Sequence, residues 1–391
     1  MDIAVVGAGL MGSVIARDLA NARDVKRVVV VDSDNSKLRL VSRESGKTRT
    51  VAIDVNNRRR LSRVLADVDA CVVALPHGIS VAVDRISLES GTNVLDLAFE
   101  DSQMKLDRLA KEKKSVLIPG CGLAPGLSNI LVVHGSRFLK EAHEGHIWVG
   151  GIPQNPQPPL GYTLVFSIKG LLNEYLSRAR IMRNGKIVSV DPFSEVEQVS
   201  FPSPVGRCEA FFTDGLATLL HSKRKFKQLD ERTVRWTGHA EKMRFMIQAG
   251  FFERRRIKVD GGEVSPLDFS SALLTQLLKR GDHRDVTVMR VETSGIKEGK
   301  HVTVRHELLD KYDETTETTS MGRTTGFTCS IISQMVGRGE IEGRGLLPPE
   351  EALDNAKVEK LLRELAARGV KVTESIQNTE DFNRPTIDPS H

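Results

Sequence analysis

The segment VRWTGHAEKMRF, residues 234–245, gathers a histidine, a carboxylate and three cations within one short stretch: His239, Glu241, Arg235, Lys242 and Arg244. An imidazole titrates near neutrality and is the side chain most easily poised to move a proton. His239 is therefore the first candidate base, with Glu241 and Asp96 next. Arg235 and Lys242 are candidate donors to a substrate carboxylate. The loop FFTDGLATL, residues 211–219, adds Thr213 and Asp214 as further candidate substrate contacts. For any one of these residues a solvated edge is the competing reading.

A second cluster lies at the N-terminus. Gly7-Ala8-Gly9-Leu10-Met11-Gly12 is a GxGxxG between an apolar run and a helix-like run. In that context Gly7 makes a tight turn, Gly9 lets the backbone approach a pyrophosphate, and Gly12 lets the helix pack closely, so that its N-terminus faces the phosphates. Asp32 ends the next apolar run, 20 residues beyond Gly12. Its carboxylate is placed to accept from ribose hydroxyls, which points to NAD. Lys37 and Arg39 leave use of the phosphorylated cofactor open. Asp54 and Val55 are expected to flank the adenine, and Leu75 and Pro76 to run past the second ribose. His77 is as readily a solvated helix-start residue as a contact.

These residues need elements to hold them. Six short apolar runs alternate with helical periods over the first 120 residues, as in βαβ units of a parallel, doubly wound sheet. The expected fold is α/β: a Rossmann-type domain at 1–138 and an α+β, mixed-sheet substrate and dimerisation domain at 139–322. A helix at 323–350 is expected to return to the first domain. A C-terminal helix and frayed tail complete 351–391. YTLVFSI, residues 162–168, reads as a strand. KGLLNEYLSRARIMRNGK, residues 169–186, reads as a helix and turn. Ligands of open parallel sheets bind beyond the C-terminal strand ends. Asp96 and the stretch PGCGLAPGLSN, residues 119–129, belong to that edge. Gly122 is expected near the cofactor.

Basic and acidic residues, 56 and 51, nearly balance, and the basic clusters carry no interleaved aromatics. A nucleic-acid surface is not expected. No apolar run is long enough to span a membrane. The four cysteines, Cys71, Cys121, Cys208 and Cys329, are far apart and form no CxxC pair. Neither a disulfide framework nor a metal site is expected, and a cytoplasmic setting follows. Cys121 reads as a small packed residue rather than a catalytic thiol.

The segments VVGAGLMG, GLAPGLSNIL, VGGIP, PPLGYTLVFSIKGLL, IMRNGK, EAFFTDG, TGHAEK and RTTGFTCSIISQMVGRG, in this order, resemble the saccharopine dehydrogenase-like oxidoreductases, most closely their lysine 6-dehydrogenase branch. The resemblance spans residues 3 to about 350. It implies a homodimer or larger homo-oligomer. It also implies NAD-dependent oxidation of the ε-amine of L-lysine, giving ammonia and a semialdehyde that cyclises. One departure is DLAFE, which puts Phe99 and Glu100 where the family usually has a glycine pair. A secondary-amine oxidoreductase of the saccharopine type, using Arg183 and Arg244 as extra cations, and a non-catalytic NAD-binding regulator are the alternatives.

Overall fold

A computed structural model describes residues 1–378 except 43–44, 165–166, 223 and 280–281. The expected tail, 379–391, lies outside the described residues. The first six strands are β1 (Asp2–Val6), β2 (Arg27–Asp32), β3 (Thr48–Ala52), β4 (Ala70–Val73), β5 (Asn93–Asp96) and β6 (Val116–Ile118). They pair in parallel in the order β6-β5-β4-β1-β2-β3. The order reverses between β1 and β4, which makes the switch point at which such sheets bind nucleotides. β1 and β4 are nearly continuous runs of buried Val, Ile, Ala and Cys because helices cover both faces. Those helices are α1 (Leu10–Asn21), α2 (Asn35–Ser42), α3 (Arg58–Leu65), α4 (Ser80–Glu89), α5 (Asp107–Glu112) and α6 (Leu127–Ser136). The sequence reading missed α2, a short and mostly exposed helix entered through an Asp34 side chain that accepts from the amide and hydroxyl of Ser36.

A second, mixed sheet follows. Its strands are β7 (Glu141–Pro153), β8 (Ala179–Arg183), β9 (Lys186–Val190), β10 (Val196–Phe201), β11 (Gly206–Phe212) and β12 (Gln228–Trp236). β13 (Ile257–Val259) and β14 (Gly262–Val264) form a separate hairpin, and β15 (Asp285–Lys297) and β16 (Lys300–Lys311) return to the sheet. The principal order is β10-β11-β12-β7-β15-β16, with β12 and β7 parallel and the other pairs antiparallel. Helices α7 (Ile168–Leu176), α8 (His239–Gln248) and α9 (Pro266–Leu278) share one apolar cluster.

Several segments differ from the sequence reading. Residues 162–164 are not strand, and Ile168 opens α7, whose N-cap Ser167 accepts from the Gly170 amide. The expected helix beyond Leu176 is β8, which buries Ala179 and Ile181 in alternation. It turns into β9 through Asn184 and Gly185, both at positive φ, the Asn-Gly signature of a tight hairpin.

The chain then returns to the first sheet. α10 (Ser320–Gly337) packs on α1 and across β1, β4 and β5. Gly326 meets Val14 of α1 where even a Cβ would lie 3.0 Å from its side chain. β17 (Gly345–Leu346) adds a seventh strand beside β6. After α11 (Pro349–Ala352) and α12 (Asn355–Ala367), β18 (Val372–Asn378) pairs with β16. This strand replaces part of the expected helix and tail. Its mostly polar, exposed side chains gave no strand signal.

Candidate active site

The glycine loop leaves β1 at the switch point. Gly7 has φ +107°, and a Cβ there would lie 2.4 Å from the Ala74 carbonyl oxygen. A Cβ on Gly12 would lie 1.8 Å from the Gly7 oxygen. Both positions therefore require glycine for close packing. At Gly9 a Cβ would meet nothing within 4 Å, so that position opens outward. Gly9 is also the N-cap of α1, which has no side-chain cap and no acidic residue in its first turn. An open glycine beside an uncapped helix N-terminus fits a pyrophosphate. Asp32 at the end of β2 accepts the Ala8 amide at 2.7 Å and the Asp34 amide at 2.8 Å. These bonds aim its carboxylate at the strand edge, where a ribose belongs. Leu75 backs the Gly7 turn, and Pro76 is exposed beside it. Asp54 accepts the Asn56 amide within its own turn, and Val55 packs against the core beneath. The residues present fit a dinucleotide.

Residues 120–126, after β6, form a closed loop. Gly122 N–H donates to Pro125 O, and Leu127 N–H donates back to Gly122 O. Gly126 has φ +133°, and a Cβ there would lie 2.1 Å from Gly122 O, so the loop closes only around glycine. Buried Asn129 fastens it to the second domain by donating to Leu216 O at 2.9 Å. Gly122, Leu123, Ala124 and Pro125 thereby become one wall of a cavity of about 200 Å³. Met11 and Met321 contribute apolar surface to it. Buried Cys121 faces away from this lining.

The polar wall comes from β12 and α7. Side chains two apart on a strand share a face, and Glu231, Thr233 and Arg235 all line the cavity, with Glu174 of α7 beside them. Arg235 is only 2% exposed. It donates to Glu174 at 2.5 Å, to Tyr175 Oη at 3.3 Å and to Val234 O at 2.9 Å. Its guanidinium lies 4.6 Å from the Tyr162 ring centroid. Glu231 has Oε1 3.3 Å from the Thr213 hydroxyl and no partner for Oε2. Gly215 abuts it so closely that a Cβ there would fall 1.8 Å from Oε1. Burial, reinforced by the Glu174 charge, pushes the Glu231 carboxyl up to about 8. Thr213 touches Glu231 and Thr233 and so supports the cavity wall from behind.

The profile of the saccharopine dehydrogenase NADP binding domain matches residues 3–118, and that of the saccharopine dehydrogenase C-terminal domain matches residues 122–370. The chain belongs to the saccharopine dehydrogenase family. It is similar to saccharopine dehydrogenase (NADP(+), L-glutamate-forming) of Schizosaccharomyces pombe, at 22% identity over 85% of this chain and 90% of that protein. It is also similar to carboxyaminopropylagmatine dehydrogenase of Synechocystis, at 21% identity over 89% and 92%. The apo saccharopine dehydrogenase (L-Glu forming) structure from Saccharomyces cerevisiae superposes with a TM-score of 0.80, at 19% identity, covering 96% of this chain and 99% of that one. The protein is thus an oxidoreductase of the saccharopine dehydrogenase type with a pyridine-nucleotide-binding domain.

Within this saccharopine dehydrogenase fold, several residues singled out by sequence serve other ends. His239 is 2% exposed, and both ring nitrogens are engaged. Nδ1–H donates to the Leu160 carbonyl at 2.9 Å, which leaves Nε2 to accept the Tyr175 hydroxyl at 2.9 Å. Burial, with the Arg235 charge beside it, drives the imidazole down to about 3, so it stays neutral and orients Tyr175. Glu241 is exposed in the first turn of α8, away from the cavity. Lys242 lines a separate cleft of about 340 Å³ with Trp236 and Arg207, which shares no residue with the glycine-loop cavity. Asp96 is fully buried beside Asp84, and Gln103 donates to both carboxylates. Burial and that neighbouring charge raise Asp96 well above the ordinary carboxylate range, and it stands behind the site rather than in it. Asp214 pairs with Arg180, which also binds Asp101 of the first domain at 2.8 Å. It is a clasp between domains. Arg183 pairs with Glu195 and Arg244 donates to the Phe193 carbonyl, so neither supplies a cavity cation. Phe99 is buried, and Glu100 accepts the Gly78 amide.

Glu231 and Glu174 were missed by sequence reasoning. The signal for Glu231 was present: it lies four residues before Arg235, on the same strand face.

Proposed function

We propose that the protein is an NAD-dependent amine dehydrogenase that oxidises the ε-carbon of L-lysine, releasing ammonia and 2-aminoadipate 6-semialdehyde, which cyclises. The observation that carries this reading is Glu231, a buried carboxyl with one unpartnered oxygen in a cavity that Met11 of the glycine loop also lines. An amine yields hydride only when neutral, because its lone pair must form the C=N bond as the hydride leaves. An ordinary lysine ammonium titrates at about 10.4. Ionised Glu231 accepts that proton; after hydride leaves, water adds to the iminium carbon and ammonia departs, which gives the semialdehyde. A bound nicotinamide supplies the hydride acceptor. The Arg235–Glu174 pair offers one cation and one anion, which suits the zwitterionic α-carboxylate and α-ammonium of an amino acid.

Among the described residues lining the cavity, Arg235 is the one cation. That favours lysine over a tricarboxylate such as saccharopine, whose further carboxylates would face Glu174 and Glu231. The saccharopine-type reading keeps its support from the names of the relatives. Asp32 supports NAD, since its charge disfavours a 2′-phosphate. Incubation with lysine or saccharopine and either nucleotide, following reduced-nucleotide absorbance and ammonia, separates the readings. Turnover with saccharopine alone would overturn the proposal.

A further inference from the structure

Far from the cavity, three elements bring together side chains that play no part in the chemistry above. His134 lies in α6, His306 in β16 and Glu374 in β18. His306 is fully buried and His134 is 3% exposed, while Glu374 faces outward. His306 Nε2 is 3.0 Å from Glu374 Oε2, and His134 Nε2 is 3.7 Å from the same oxygen. The three residues present ligand atoms that all lie within 4.8 Å of one another.

A conventional buried ion pair does not need this arrangement. Two imidazoles converge through Nε2 on one carboxylate oxygen. Asn355, Glu359 and Arg137 also lie near His134, and the Asn355 side chain hydrogen-bonds its ring. Phe138 packs edge-on against the His134 ring at 5.2 Å between centroids and closes the apolar side. Ligand bonds of about 2.0–2.2 Å in a tetrahedron place donor atoms about 3.4 Å apart. The observed 3.0 and 3.7 Å separations bracket that spacing.

We propose that His134, His306 and Glu374 bind a divalent transition-metal ion, Zn²⁺ by preference. Two imidazoles and a carboxylate are borderline donors of the kind zinc takes, and three protein ligands leave a fourth position for water. His134 lies eight residues beyond Gly126, the end of the cavity loop, about 12 Å at the helical rise. The ion is therefore remote from hydride transfer. It pins β18 to the helix that carries the cavity loop. The three ligands are far apart in the chain and belong to no spaced motif, so no pattern singled them out.

The test uses the full-length protein, stripped by dialysis against a chelator and titrated with Zn²⁺ alone by calorimetry. Co²⁺ alone, followed by its visible absorption, reports the coordination geometry. One Zn²⁺ per chain and tetrahedral Co²⁺ bands are expected. Loss of even an outer-sphere partner of a metal typically costs 10–100-fold in affinity, so Glu374→Gln and His306→Gln, which remove ligands, should each weaken Zn²⁺ binding by at least about 100-fold. Glu374 is exposed, so its variant decides the matter even if His306→Gln fails to fold. Absence of stoichiometric uptake by the wild type, or equal uptake by wild type and Glu374→Gln, overturns the proposal.

Discussion

Glu231 accepts the Thr213 hydroxyl at 3.3 Å through Oε1, while Oε2 of the same carboxyl finds no partner in the protein. One oxygen is held and the other is left for a ligand. On the proposed reading, the unpartnered oxygen is the one that takes the amine's proton.

The first prediction concerns catalysis. Glu231→Gln should lower kcat by about 100- to 10,000-fold, the usual range for general-base assistance, with nucleotide affinity unchanged. The wild-type rate should rise with pH through the Glu231 carboxyl at about 8. That inflection should vanish in the variant. Steady-state rates across pH, with nucleotide binding by fluorescence, check both parts. An unchanged inflection would assign it to another group.

A stability consequence follows from the same carboxyl. Its folded value is raised from 4.5 to about 8. Between those values the folded state keeps a proton that the unfolded state has lost, so this group's contribution to stability falls as pH rises. Glu231→Gln cannot ionise. Its Tm relative to wild type should climb between about pH 5 and 9 and then level off. A Tm difference that does not vary with pH would contradict the raised value.

His239 provides a separation of roles. His239→Ala leaves the Tyr175 hydroxyl and the Leu160 carbonyl without their partner, at a cost of about 1–3 kcal/mol of stability for each buried group left unsatisfied. Because the imidazole stays neutral down to about 3, the pH inflection of turnover should be the same in the variant. Denaturant unfolding and the pH–rate profile read the two effects independently. Loss of the inflection in His239→Ala would restore it as the base.

Arg235 and Glu174 must be tested as a pair. Arg235→Met alone leaves the partly buried Glu174 carboxylate unpaired, which costs less than the about 3–5 kcal/mol of a fully buried charge. Arg235→Met with Glu174→Gln should recover most of that stability while the KM for lysine remains high. Chemical denaturation and KM measurements distinguish this from a purely structural pair, whose double variant would regain normal KM.

Asp32→Ala should lower NAD affinity by about 10- to 100-fold, the worth of hydrogen bonds to a charged group, and weaken NADP binding less. The ratio of the two dissociation constants is the measurement. A wild type that binds NADP more tightly would remove Asp32 as the selector.

The first sheet was legible because each strand is a short apolar run closed by glycine, proline or aspartate, and the loop at 120–126 announced itself by residues that few other turns need. β8 and β18 were not legible. One follows a helix after a two-residue break, so its short alternation was read as a continuation of the helix, and the other is exposed and polar and carries no strand period. In the site, Arg235 stood out because charges crowd around it, and the same crowding drew attention to Glu241 and Lys242, which point away. Glu231 was hidden inside LDERTV, where its neighbours Asp230 and Arg232 make it look like one more surface charge. Strand alternation alone separates it from them.

α10 is laid across β1, β4 and β5 after the chain has built the second sheet as far as β16. During synthesis, the first 138 residues therefore emerge with part of one sheet face, beside α1, still uncovered. That face waits for nearly 200 further residues to leave the ribosome. Neither half is a self-sufficient cassette, and a gene cut between them would yield a sticky fragment rather than a nucleotide-binding module.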